Sequence, residues 1–171
     1  MAMVSVWRLY FIVAISSIIL PLISGMLLTG IRKINGLQMA TSHQRKMLLV
    51  ASLVYQTMLI YLFNKAGLEL FILPFLIGYA LILLAAYSIH YYTQISLHAM
   101  GWGGFTAMTI FLLPHAINGF YWFVLAAILV SGLVLSARLF LGAHSRTQIY
   151  LGYSIAFILM ASTFIFYGYG I

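Results

Sequence analysis

The stretch 119–139 reads GFYWFVLAAILVSGLVLSARL, and its first charged side chain is Arg138. A run near 20 apolar residues is the length that crosses a bilayer as an α-helix, because each residue advances the axis by about 1.5 Å and the hydrocarbon core is roughly 30 Å thick. Outward from it, comparable runs fall at about 9–31, 47–63, 68–89, 99–117 and 148–168. The second and fourth are short or interrupted, so six spans are expected and five is the alternative. The predicted fold is all-α, a polytopic transmembrane bundle of about six helices. One integral membrane domain is expected over 1–171, with no soluble insertion, repeat or low-complexity tract.

Composition agrees with lipid as the solvent. Of the 171 residues 65% are hydrophobic and 5% charged, with a mean hydropathy of +1.13. A soluble domain carries about a quarter charged residues. The net charge is +7, from eight Lys/Arg against the single acid Glu69. These bases are dispersed between apolar runs, which argues against nucleic acid and for anionic headgroups or a phosphate-bearing ligand. With no cysteine, disulfides, thiolate metal sites and Cys nucleophiles are excluded. Arg8 and the apolar run to Leu28 are too long for a signal-peptide core and lack a small-residue cleavage pattern, so they read as the first span.

Alternating the spans sorts the polar residues. One face of the membrane collects Arg32, Lys33, His43, Arg45, Lys46, His90, Ser96, His98, Arg138, His144, Arg146 and Gln148. The other keeps Arg8, Lys65, Glu69 and His115. Four of the five histidines and six of the eight basic residues therefore share a side. Two readings fit. Under the positive-inside rule that side is cytoplasmic; alternatively it carries an interfacial anion site.

Spacing favours the second. Arg138 is followed after five residues by His144, and after three more by Gln148. Some forty residues earlier Ile95-Ser96-Leu97-His98 opens the glycine-rich stretch Ala99-Met100-Gly101-Trp102-Gly103-Gly104. The pattern resembles the type 2 phosphatidic acid phosphatase superfamily, whose motifs are K-x6-R-P, P-S-G-H and S-R-x5-H-x3-D. Its membrane members are six-helix proteins that remove phosphate from lipids without a metal or other cofactor.

That resemblance implies His144 as the nucleophile forming a phosphohistidine. It implies His98 as the acid that protonates the departing alcohol, Arg138 as the phosphate clamp and Ser96 as a supporting donor. The layout suits phosphoryl transfer, which needs an in-line nucleophile, a proton donor and positive charge around the equatorial oxygens. Gln148 occupies the position of the family's Asp, which orients the nucleophilic histidine. An amide carbonyl accepts a ring N–H but brings no charge; in serine proteases the corresponding amide costs about 10⁴-fold by holding the wrong tautomer. The first motif is absent as written, and Arg45-Lys46 is the nearest substitute for its clamp. The Pro and Gly of the second motif are Ile95 and Leu97, and the Ser of the third is Ala137.

Structural readings stand beside these. Arg138 can snorkel to headgroups; Ser96 and Gln148 can cap helices; Gly101, Gly103 and Gly104 can serve helix packing. His43 and His90 read as interfacial, and Glu69 pairs naturally with Lys65 four residues earlier. Tyr, Trp and Met fall where belts and packing place them. No dense ligand set for a metal emerges, and haem would need histidines facing one another inside the bundle.

The resulting expectation is a lipid-phosphate phosphatase or phosphotransferase, its partners a phosphorylated lipid and the bilayer. The alternative is a catalytically weakened relative that binds phosphorylated lipid or a membrane partner. The resemblance implies a bacterial inner-membrane protein with an extracytoplasmic site.

Overall fold

A computed structural model describes residues 11–30, 42–65, 72–115 and 120–169; the side chains of 28–30, 42–45, 115 and 120 lie outside that description. Every regular element among the described residues is helical. The chain divides into two compact units, Met1–Glu69 and Leu70–Ile171.

The first unit is helical from 11 to 30, passing through a π-helical turn at Ile15–Ile19 into α1, Leu20–Gly30. Pro21 explains the π turn: it offers no N–H to Ser17 and its ring presses on that carbonyl, so the helix widens just before it. Helix α2 is Ser42–Lys65. Its buried positions Leu49, Ser52, Gln56, Leu59 and Phe63 recur at spacings of three and four, the seam of a two-helix contact. Polar pairs tie the seam. Ser17 Oγ donates to Gln56 Oε1 at 3.3 Å, and Ser24 Oγ meets Tyr55 Oη at 2.6 Å. In lipid no hydrophobic gain separates helix from tail, so such pairs and close packing hold helices together.

The second unit contains α3 (Ile72–Ile89), α4 (Leu97–Leu112, followed by a 3₁₀ turn Leu113–His115), α5 (Phe120–Phe140) and α6 (Arg146–Phe166). Pro74 is tolerated because it lies in the first turn of α3, where no amide partner is lost. Helix α4 gives way to its 3₁₀ turn just ahead of Pro114, which has no N–H to continue the α-helical ladder.

Four described helices contain runs long and apolar enough to cross a membrane, at Lys46–Lys65, Ile72–Ile89, Tyr121–Phe140 and Arg146–Phe166. Phe11–Leu27 is a shorter apolar helix. Helix α4, with 16 residues, is only about 24 Å long. The chain is thus an integral membrane protein by length and composition, and the six expected spans each contain a helix. Much of α5 is uncovered by the rest of the chain; Trp122, Leu129 and Leu133 are all well exposed.

The centre of the second unit is the pair α4 and α6, which pack on each other more extensively than any other two helices. Contacts advance in the same direction along both: Ile95 and Ser96 against Gly152, Gly103 against Tyr153, Gly104 against Ala156 and Met160, and Phe111 stacked on Phe164. The two helices are therefore parallel. Gly103 is the closest approach, where a Cβ would overlap the main-chain carbonyl of Tyr153. Met100, Ile149, Ala156, Met160 and Phe164 fill the interface, each almost wholly buried.

Candidate functional site

Because α4 and α6 run parallel, their N-termini meet at one end of the unit, together with the loop that leaves α3 and the turn that leaves α5. Ser96 is the N-cap of α4, its Oγ accepting the Ala99 N–H at 3.4 Å. Ser145 is the N-cap of α6, its Oγ accepting the Gln148 N–H at 3.3 Å. Gln148 closes a capping box by accepting the Ser145 N–H on Oε1 at 3.0 Å, the reciprocal pattern expected of S-x-x-Q at a helix start. The Ser96 N–H reaches the Gln148 carbonyl at 3.5 Å. Two helix termini, each carrying partial positive charge, are held side by side.

His144 sits in the turn before α6. Its Nδ1 lies 3.1 Å from the Gln94 carbonyl oxygen and 3.3 Å from Gln148 Oε1. Gln148 Nε2 donates to Thr93 Oγ1 at 3.3 Å. The amide orientation follows from these neighbours, since the atom facing the Ser145 N–H must be oxygen. Both described neighbours of Nδ1 are thus acceptors, an arrangement that favours the ring proton on Nδ1 and, in the neutral ring, the lone pair on Nε2.

Arg138 stands in the last turn of α5. Its carbonyl accepts the Ala143 N–H at 3.2 Å, closing a turn in which Gly142 takes φ +61°, a conformation glycine adopts without a Cβ penalty. Its Nε is enclosed and makes no hydrogen bond. No Asp or Glu occurs from 70 to 171, where Arg138 and Arg146 are the only Lys or Arg residues. The charge of this end of the unit is accordingly positive.

His98 is exposed on the first turn of α4. With Leu97, Gly101, Trp102 and Phe105 it lines an open groove of about 480 Å³ along one face of the helix. Phe105 is braced edge-on by Phe123 of α5. Gly101 leaves open space where a Cβ would stand, in contrast to Gly103 and Gly104, which serve helix packing.

Placement of the remaining sequence candidates is mixed. Ser96 is fully buried and occupied as a cap. His90, just past the end of α3, is 3% exposed, with Nδ1 2.7 Å from the carbonyl of Ala86. Beside it, the Tyr91 hydroxyl is held above its ordinary pKa by its hydrogen bond with Tyr87. Lys46 is half-buried in α2. The side chains of Arg45, His43 and His115 lie outside the described residues, as do Arg32, Lys33, Arg8 and Glu69. Arg45 and Lys46 belong to the first unit, whereas the described hydrogen bonds of His144 and Gln148 join residues of the second. Among the described residues no three His, Asp or Glu side chains gather into a metal-binding group.

Thr93 and Gln94 were not singled out by sequence. Gln94 acts through its main chain, which no side-chain pattern reports. The cap role of Gln148 did have a signal, in Ser145-x-x-Gln148. No protein-family model, curated protein or solved structure matches the chain.

Proposed function

We propose that this protein is a membrane-embedded, metal-independent lipid-phosphate phosphatase or phosphotransferase that works through a phosphohistidine on His144. The observation that carries the reading is the ring geometry of His144. Two acceptors on Nδ1 leave the lone pair on Nε2, the nitrogen that attacks phosphorus. Nucleophile and orienting acceptor then stand in the relation that covalent catalysis requires.

In the first step Nε2 forms a bond to phosphorus while the ester P–O bond breaks, and His98 gives its proton to the departing alkoxide. In the second, water attacks the phosphohistidine, its proton passes to His98, and the P–N bond breaks to release phosphate. Arg138 and the paired N-termini of α4 and α6 supply positive charge for the equatorial oxygens. The groove beside His98 offers the lipid chain an apolar bed at the level of the helices. Phosphatidic acid, phosphatidylglycerol phosphate, isoprenyl pyrophosphates and lipid A phosphates are candidate substrates. The fuller form of the proposal places the site on the extracytoplasmic side of a bacterial inner membrane.

A second reading has its own support. Both described acceptors of Nδ1 are neutral, and where the resembled family has an Asp this chain has Gln148, whose amide brings no charge to the imidazolium that attack creates. The protein would then bind phosphorylated lipid, or a membrane partner, with little turnover.

The test is phosphate release from a panel of these lipids in chelator, with His144→Ala and His98→Ala as controls. The phosphatase reading expects release by the parent protein and loss of it in both variants. Unchanged release in His144→Ala removes the assigned nucleophile. Binding of lipid phosphate by the parent without release favours the second reading.

A further inference from the structure

The loop between α3 and α4 is fixed far more firmly than its length suggests. The Thr93 N–H bonds the Ile89 carbonyl at 2.9 Å, and the Ile95 N–H bonds the Thr93 carbonyl at 3.0 Å. Ile95 and Ser96, the residues after Gln94, are buried at 1% and 0% exposure. Both press on Gly152, where an added Cβ would stand 3.2 Å from Ile95 Cγ1 and 3.2 Å from the Ser96 carbonyl. The peptide carbonyl of Gln94 is therefore clamped from both sides by main-chain bonds and anchored by a buried side chain.

The two acceptors that face His144 Nδ1 differ in kind. Gln148 Oε1 lies at 3.3 Å, turns on side-chain torsions and is shared with the Ser145 N–H at the shorter distance of 3.0 Å. The Gln94 oxygen lies at 3.1 Å and belongs to the clamped main chain. An acceptor that is already ordered needs no further loss of freedom to hold its donor.

We propose that the main-chain carbonyl of Gln94, fixed by Ile95, is the principal positioning group of His144, and that Gln148 is auxiliary to it. The residue that holds the tautomer is thus one in the α3–α4 loop, and Gln148 serves chiefly the start of α6. The consequence for turnover rests on the reading of His144 as nucleophile; the tautomer itself does not. In that setting a neutral Gln at 148 is compatible with a correctly presented ring, because ring orientation no longer depends on a side-chain acid there.

The experiment reads the ring nitrogens of His144 by NMR in ¹⁵N-histidine-labelled full-length protein. It is run in lipid nanodiscs at about pH 8, where an ordinary imidazole is neutral. The signal is assigned by its absence in His144→Ala. The parent is expected to show a protonated Nδ1 and an unprotonated Nε2, and Gln148→Ala to keep that pattern. Ile95→Ala, which loosens the loop without touching His144, is expected to give a mixture of tautomers. Gln148→Glu retains the capping box, so it reports on His144 with the start of α6 intact, and is expected to keep a protonated Nδ1.

An Nε2-protonated parent overturns the proposal, as does loss of the pattern in Gln148→Ala together with its retention in Ile95→Ala. The phosphatase reading fails separately, by release that survives His144→Ala while the Nδ1–H signature is intact.

Discussion

His144 Nδ1 lies 3.1 Å from the carbonyl oxygen of Gln94, a contact spanning fifty residues of chain. With the Ser96–Gln148 and Thr93–Gln148 bonds it sews the loop before α4 to the start of α6. The two histidine-bearing segments identified by spacing are therefore physical neighbours.

Residue 148 does two jobs, and the two separate by side-chain length. Gln148→Glu keeps the reach to the Ser145 N–H and adds a negative charge beside His144 and at a helix N-terminus, both favourable. It is expected to raise the rate of phosphate release on the order of tenfold or more. Gln148→Asp, one methylene shorter, should gain less. Gln148→Leu should lose about 1 kcal/mol of stability with its cap. Single-turnover kinetics and thermal unfolding in detergent distinguish the three.

Arg138 holds an enclosed Nε that makes no hydrogen bond. Removal of the guanidinium in Arg138→Leu should leave stability unchanged or slightly higher, since a buried N–H with no bond is itself costly. Phosphate affinity should fall by roughly tenfold or more, the worth of a lost charge-assisted bond. Arg138→Lys should recover only part of it, lacking the planar fork. Substrate titration against KM checks both variants, and an unchanged KM in Arg138→Leu would remove the clamp.

Gly103 and Gly101 make a matched pair. A side chain at 103 meets the Tyr153 backbone, which cannot rotate away, so Gly103→Val should cost about 2 kcal/mol or more through forced separation of α4 and α6. Gly101→Ala faces open space and should be neutral. Unfolding midpoints of the two variants decide it.

Gly101→Trp tests the groove. A filled groove should lower release from long-chain lipid phosphates severalfold while sparing a short-chain, water-soluble phosphate ester. Equal loss on both substrates would mean that the groove holds no chain.

The helices were legible because each is a near-continuous apolar run, and lipid permits little else at that composition. Their ends were less so. Helix α4 begins at Leu97, ahead of the apolar run, because Ser96 caps it. The run 68–89 yields a helix described from Ile72. The proximity of the segments carrying His98 and His144 was an expectation of the family resemblance, since their side chains carry recognisable chemistry. Gln94 could not, because its contribution is a carbonyl every residue possesses. The interfacial reading of His90 said nothing of its partner, because composition does not reveal that its ring folds back on the Ala86 carbonyl. Arg45 and Lys46 share a membrane side with His144 in the alternation of spans, but sidedness fixes neither distance nor direction.

The parallel pairing of α4 with α6 also bears on how the protein is made. Two adjacent helices in a chain that weaves back and forth run antiparallel, so α4 meets its parallel partner α6 only after α5 has carried the chain back across. Until α6 emerges, α4 lacks its principal neighbour, and Gly103 and Phe111 lack the Tyr153 backbone and the Phe164 ring they pack against. The site is then the final piece of the second unit to form during synthesis, and a chain that stops at Phe140 inserts without ever assembling it.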